Sequence, residues 1–299
     1  MVPFEKMPYT RPDTEQIMRD MDALCARLGA AQTFEEANDT FLAFDTLQAQ
    51  YDTAATLAYV RHQQDTNDSF YDAEVEFFDQ QAPRIQEYVQ RWMQALMDTP
   101  WQSRLQEVYG AQLFCDIRLS LRAFSPQIIE DLQEENRLCT AYDKLLASAQ
   151  IPFDGAPRTL AQMSPYKQSA DDVTRHAAWR AEAAFYTEHG QQLDELFDRL
   201  TKLRDQMGKK LGFDGFTQLG YCRMHRSCYD QNDIEAFRKN VVTDIVPIAQ
   251  RLYQAQAKRI GAEYPMSYSD MSLNFTSGNA KPCGSAQDIL DQAQRFYHE

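Results

Sequence analysis

Five histidines, His62, His176, His189, His225 and His298, are the side chains with which this chain could hold a catalytic metal or move a proton. A catalytic zinc needs three protein ligands and an open fourth position for water. The compact way to supply two of them is a His-Glu-x-x-His turn of helix. No two of these histidines stand four residues apart, and the terminal His298-Glu299 reads as an ordinary exposed helical turn. Cys222-x-x-His225-x-x-Cys228 is the one local group of soft ligands. Its 3,3 spacing drifts around a continuous helix, and Arg223 and Arg226 beside it oppose a cation. Nucleophilic chemistry has no better footing, since there is no Gly-x-Ser-x-Gly elbow and no glycine loop for phosphate. The paired carboxylates Glu134-Glu135 and Asp171-Asp172 read as solvated helix faces and helix starts. The expectation is therefore no catalytic residue, no metal ligand and no cofactor within this chain.

Recognition chemistry is better represented. Tyr221, Arg223, Arg226 and Tyr229 form a basic-aromatic cluster that closes one helix and opens the next. A guanidinium binds a carboxylate through two parallel hydrogen bonds, and a tyrosine offers a peptide both an apolar ring and a hydroxyl. These four are the candidate substrate-binding residues. The simpler reading of the same cluster is an interhelical ion pair made by Arg226.

The elements that would position them are helical. Asp13 can cap a helix running to Gly29, and Thr33 with Glu36 three residues on makes a capping box. Behind it Phe34, Ala37, Phe41, Phe44, Leu47, Tyr51, Ala54 and Ala58 recur at three- and four-residue steps, one apolar face over some seven turns. Asp68 caps a third long helix with Tyr71, Val75, Phe78, Ile85 and Val89 on its face, ended by Asp98-Thr99-Pro100. Ser125-Pro126 supplies a cap and a first-turn proline for residues 128–149. The period then breaks: Ile151 to Leu160 reads as a hairpin or extended loop around Asp154-Gly155, and marks a boundary between domains 1–150 and 151–299. Ser169 is expected to cap the next helix, with Asp172 at its third position. Ile234, Phe237, Val241, Ile245, Ile248 and Leu252 make another long stripe, kinked by Pro247. After an irregular stretch from Tyr264 to Cys283, Ser285 caps a final helix. The fold class is all-α, long antiparallel helices with one or two short hairpins.

Composition agrees: 43% hydrophobic and 25% charged residues are those of a globular protein, and 11 glycines and 12 prolines argue against a turn-rich sheet fold. The net charge of −14 is uneven, with residues 201–261 at +5 (11 basic against 6 acidic) and residues 1–100 at −11. An acidic body repels the phosphates of nucleic acid and anionic membranes, and no apolar stretch approaches a membrane span. The basic segment could face anionic groups such as a peptide C-terminus; more simply, it pairs with the acidic helices around it. Six scattered cysteines without a C-x-x-C pair, and a Met1-Val2-Pro3-Phe4-Glu5-Lys6 start without an apolar run, point to the cytoplasm.

A series of short motifs goes further. Phe153-Asp154-Gly155, Thr159-Leu160-Ala161-Gln162, Leu200-Thr201-Lys202-Leu203-Arg204, Lys210-Leu211-Gly212-Phe213 and Leu219-Gly220-Tyr221 follow in order. Phe237-Arg238-Lys239, Ile245-Val246-Pro247 and Lys258-Arg259-Ile260-Gly261 continue them, more weakly through Tyr268, Leu273, Phe275 and Gly278-Asn279. In that order they resemble the oligoendopeptidase F branch of the thimet-oligopeptidase-like zinc metallopeptidases, with only architectural likeness over residues 1–150. The resemblance implies two helical lobes around a deep groove and hydrolysis of oligopeptides by a zinc-bound water. It implies that zinc belongs to a full-length parent continuing past Glu299 into a His-Glu-x-x-His helix, and that this chain supplies the outer lobe and one groove wall. The oligopeptide would be bound together with the missing C-terminal lobe, and the chain alone would self-associate through uncovered apolar faces. The alternative is a non-catalytic helical protein that keeps the fold for peptide or partner binding.

Overall fold

The computed structural model describes residues 4–281 and 283–298. The start Met1-Val2-Pro3 and the Glu299 of the terminal His-Glu pair lie outside them. The described chain is all-α apart from one short hairpin, and it forms two compact units: Met1–Ser148 with Gly190–Ile234, and Ala149–His189 with Glu235–Glu299. Neither unit is a contiguous stretch. The hairpin after Ser148 opens the second unit, and residues 190–234 return to the first.

Three long helices build the first unit: α1 (Thr14–Ala30), α2 (Phe34–Gln64) and α3 (Ser69–Asp98). Asp13 caps α1 by accepting the Gln16 N–H at 3.0 Å. Asp68 caps α3 through the N–H groups of Phe70 and Tyr71. Thr33 accepts the Glu36 N–H at 3.2 Å, but the Glu36 carboxylate reaches back to the N–H of Gln32, at 2.7 Å. The expected capping box thus closes one residue early. Ala37, Phe44, Tyr51 and Ala58 of the α2 stripe are buried, and the Phe44 ring stacks on Trp92 of α3 with centroids 4.3 Å apart. Fully burying a large apolar side chain such as Phe44 stabilises the fold by about 1.5–3 kcal/mol. Short helices α4 (Gln102–Tyr109) and α5 (Ala111–Arg122) follow. Pro126–Ile128 is a 3-10 turn without a side-chain cap from Ser125, and it leads into α6 (Ile129–Ala147).

Strands β1 (Ile151–Phe153) and β2 (Ala156–Arg158) pair antiparallel, Phe153 opposite Ala156. Asp154 and Gly155 both take positive φ, 51° and 73°, which a two-residue hairpin of this twist requires. Thr159 and Gln162 complete a full capping box on α7 (Leu160–Lys167). The cap of α8 (Asp172–Glu188) is Asp171, which accepts the Thr174 N–H at 2.8 Å. Ser169 was the wrong choice: its hydroxyl accepts the Asp171 N–H and so sets up the cap instead of forming it.

Helix α9 (Gly190–Lys210) ends at Gly212 in the left-handed region (φ 83°), and α10 (Phe216–Arg223) follows. Then come α11 (Gln231–Asn240), α12 (Val246–Ile260) and α13 (Ala286–His298). Pro247 does more than kink one long helix. Val241–Ile245 is a wide turn in which the Val246 N–H bonds the Val241 carbonyl five residues back. One extra residue in the turn relieves the missing proline N–H and the ring's clash with the preceding turn. The stripe expected there is not a core: Phe237 is 63% exposed, Ile245 55% and Leu252 66%. None of the described residues of α13 is buried, and Ile289, Leu290, Phe296 and Tyr297 stand in the open. No described helix crosses a membrane by length and apolarity.

Two close fits yield tests. A Cβ on Gly208 would lie 2.3 Å from the Gly215 carbonyl oxygen. Gly208→Ala should therefore cost about 1–3 kcal/mol, seen as a lower urea midpoint, although alanine is by itself the better helix former by about 1 kcal/mol. In the second unit, burial alone would raise Asp270. Hydrogen bonds from His176, Arg175 and Ser267, with the charge of Arg175, outweigh it and hold this carboxyl well below the usual range. The stabilisation is thus complete above the ordinary aspartate pKa of about 4 and fades as pH falls towards the depressed value. Asp270→Asn should flatten the acid limb of stability below about pH 4, measured by circular dichroism.

Candidate functional site

Glu135 organises the region around the predicted cluster. It stands on α6 at 6% exposure and takes two guanidiniums: Arg204 of α9 at 2.6 Å and Arg223 of α10 at 2.9 and 3.1 Å. The Phe216 ring lies 5.7 and 5.8 Å from those two guanidiniums. Asp131, one turn earlier on α6, pairs with Lys210 at 2.6 Å, and Glu134 pairs with Arg199 at 2.5 Å. The basic residues Arg204, Lys210 and Arg223 are thus spent on acidic α6. Sequence reasoning placed Glu135 on a solvated face and passed over Arg204. The helical spacing of Asp131, Glu135 and Leu138 puts them on one face of α6, but their burial is seen only in the fold.

Helix α10 ends in a Schellman motif. The Arg226 N–H bonds the Tyr221 carbonyl at 3.1 Å and the His225 N–H that of Cys222 at 3.0 Å. His225 takes the left-handed position (φ 50°) that glycine usually fills, and its Nε2 lies 3.0 Å from the Ser120 hydroxyl. This turn folds Arg226 back over Tyr221, its guanidinium carbon 4.8 Å from that ring centroid and 5.5 Å from that of Tyr229. The two rings are 6.3 Å apart at 70°.

The four predicted residues therefore divide. Tyr221, Arg226 and Tyr229 come together as a cation–π clamp, while Arg223 points away into the Glu135 pair. The ion pair that ties helices together is made by Arg223 and not by Arg226. Among the described residues the Arg226 guanidinium has no hydrogen bond and no carboxylate partner. Held by two rings, it offers its donors in a fixed fork. Gln90, Ser120, Cys222, Arg223 and His225 line a cavity of about 250 Å3, which does not include Arg226 in its lining.

The zinc that the resemblance implies finds no fit here. Cys222 is buried on α10, His225 is turned to Ser120 after the helix has ended, and Cys228 is exposed in the following loop. No group of three metal-ligating side chains occurs among the described residues.

Residues 4–124 match the Peptidase M3 N-terminal domain. A structure of Pz peptidase A with an inhibitor matches 99% of the chain at 38% identity and a TM-score of 0.96. Two proteins assigned as oligoendopeptidase F, one from Bacillus anthracis, match all of it at 36% and 34% identity with the same TM-score. Along its whole length the chain is similar to oligoendopeptidase F structures, and over residues 4–124 to the N-terminal domain of the M3 peptidases. It covers 52%, 53% and 55% of those three chains, about half their length. No match is found among curated proteins. The oligoendopeptidase F likeness extends over residues 1–150, where the motifs were least specific.

The division of labour between the arginines is testable. Arg223→Ala leaves buried Glu135 half-paired and should cost about 1–3 kcal/mol. Arg226→Ala loses only the ring contacts, about 0.5–1 kcal/mol. Urea unfolding of both variants should rank them in that order.

Proposed function

We propose that residues 1–299 form the peptide-holding part of an oligoendopeptidase F-like zinc metallopeptidase of the cytoplasm, with bond cleavage carried out by residues outside this chain. The observation that carries this reading is the full-length likeness to Pz peptidase A and oligoendopeptidase F at 34–38% identity, over only half of their length. Zinc in such an enzyme brings a bound water towards a pKa of about 7, and its ligands would come from the remaining half. Residues of this chain hold the peptide: Arg226, clamped by Tyr221 and Tyr229, receives a carboxylate or a main-chain carbonyl. The unpaired thiols agree with a reducing compartment.

The same reading accounts for the uncovered helices. Apolar patches beyond a few hundred Å2 mark contact surfaces. The exposed faces of α11, α12 and α13 (Phe237, Leu252, Phe296) and Ile245 of the wide turn are covered by the second half in the whole enzyme. Residues 1–299 alone self-associate through them.

Hydrolysis of a quenched-fluorescent oligopeptide tests this. Residues 1–299 should be inactive with or without added zinc, and a longer polypeptide that includes a His-Glu-x-x-His helix should be active and lose activity to a chelator. In that longer chain Arg226→Ala should raise KM with little change in kcat, as loss of uniform binding does. Chelator-insensitive hydrolysis by residues 1–299 alone would overturn the proposal.

A further inference from the structure

A second recognition surface lies wholly within the second unit. A cleft of about 710 Å3 runs along α8, lined by His176, Trp179, Arg180, Ala183 and Tyr186, with Tyr268 on its far wall. These α8 positions recur at three- and four-residue steps, so one face of the helix forms the floor.

The walls are fixed. Asp270 accepts hydrogen bonds from Arg175 at 2.8 Å and Ser267 at 2.7 Å, and its Oδ1 lies 3.0 Å from His176 Nε2. Gln256 donates to the carbonyls of Met271 and Leu273, and Ser272 to that of Lys167. These bonds bolt the 267–273 segment in place. Trp179 is braced by Lys167, whose ammonium lies 4.5 Å from its ring centroid while ion-paired to Glu182 at 2.7 Å. Against this rigid setting the Tyr268 ring meets Trp179 edge-on at 4.6 Å and remains 73% exposed. An aromatic corner is thus built and left open to solvent.

Charge selects the ligand. Arg180 lines the cleft, is exposed, and has no hydrogen bond, ion pair or ring contact among the described residues. The other charged groups at the cleft are already matched: Lys167 with Glu182, and Asp270 with Arg175 and His176. One unpaired guanidinium beside an apolar aromatic corner complements a carboxylate attached to an apolar side chain. Ser267, Asp270 and His176 do not form a hydrolytic triad. The serine donates to the aspartate, and His176 uses its Nε2 on that same aspartate, so no base faces the hydroxyl.

We infer that this cleft binds the C-terminal residue of a peptide, an apolar or aromatic side chain resting on Trp179 and Tyr268 and its free carboxylate on Arg180. The inference rests on the peptide-binding reading above and adds to it a subsite with its own selectivity, for a free carboxylate.

The intrinsic fluorescence of the 299-residue chain tests it, because Trp179 is the one tryptophan of the second unit; Trp92 and Trp101 belong to the first. Acetyl-Gly-Gly-Phe with a free carboxylate should shift the emission in saturable fashion. Trp179→Phe should abolish the shift. The C-terminal amide of the same peptide, and Arg180→Ala, should each bind about tenfold more weakly, roughly 1.4 kcal/mol. Tyr268→Ala, at an exposed position, should fold normally and also bind about tenfold more weakly. Equal binding of acid and amide, binding unchanged by Tyr268→Ala, a shift that survives Trp179→Phe, or no saturable shift at all would each overturn the inference. Peptide hydrolysis by the longer enzyme is measured separately, so its failure would remove the peptidase reading, and loss of the fluorescence shift alone would remove only this subsite.

Discussion

One buried carboxylate sets the geometry of the candidate site. Glu135 draws Arg204 and Arg223 onto α6 and thereby joins α6, α9 and α10 of the first unit. A buried charge is tolerated only when paired and hydrogen-bonded. Here both carboxylate oxygens are taken, and a phenylalanine ring lies beside both guanidiniums. The pair is a registration device more than a source of net stability, because desolvation offsets much of the Coulombic gain. With α10 fixed, its Schellman ending fixes the direction of the next residues, and Arg226 follows from that direction.

Much of the local structure was legible. Asp13, Thr33 and Asp68 cap helices because a short polar side chain ahead of an apolar period satisfies otherwise open N–H groups. Asp154-Gly155 turns the chain because two residues with positive φ are needed there. What failed did so for reasons of tertiary context. Glu135 looks like any surface glutamate of a helix, and only the arrival of α9 and α10 buries it. Arg223 and Arg226 are equivalent as letters, and the helix ending between them sends one inward and leaves the other on the rings. Either Asp171 or Ser169 could accept a first-turn N–H, and spacing alone does not choose between them; Asp171 is the one that takes the cap.

The α11–α12 stripe carries the other lesson. An amphipathic period reports an apolar face, not what covers it. In the first unit the α2 stripe is met by α1 and α3 within the chain. In the second, Phe237 and Leu252 face solvent, and α13 has no buried position among its described residues. That asymmetry fits a chain half the length of its relatives: the part matched to the Peptidase M3 N-terminal domain has a finished core, and the exposed stripes lie further along.

The Glu135 cluster holds α10 and, through it, the turn that presents Arg226. Amide hydrogen exchange in Arg223→Ala tests this most directly, since exchange reports local opening residue by residue. The N–H groups of Met224, His225 and Arg226, bonded to Gly220, Cys222 and Tyr221, should exchange faster, and the α1–α3 core amides should not change. Undiminished protection at Met224 to Arg226 would contradict it, for the turn would then stand without the cluster.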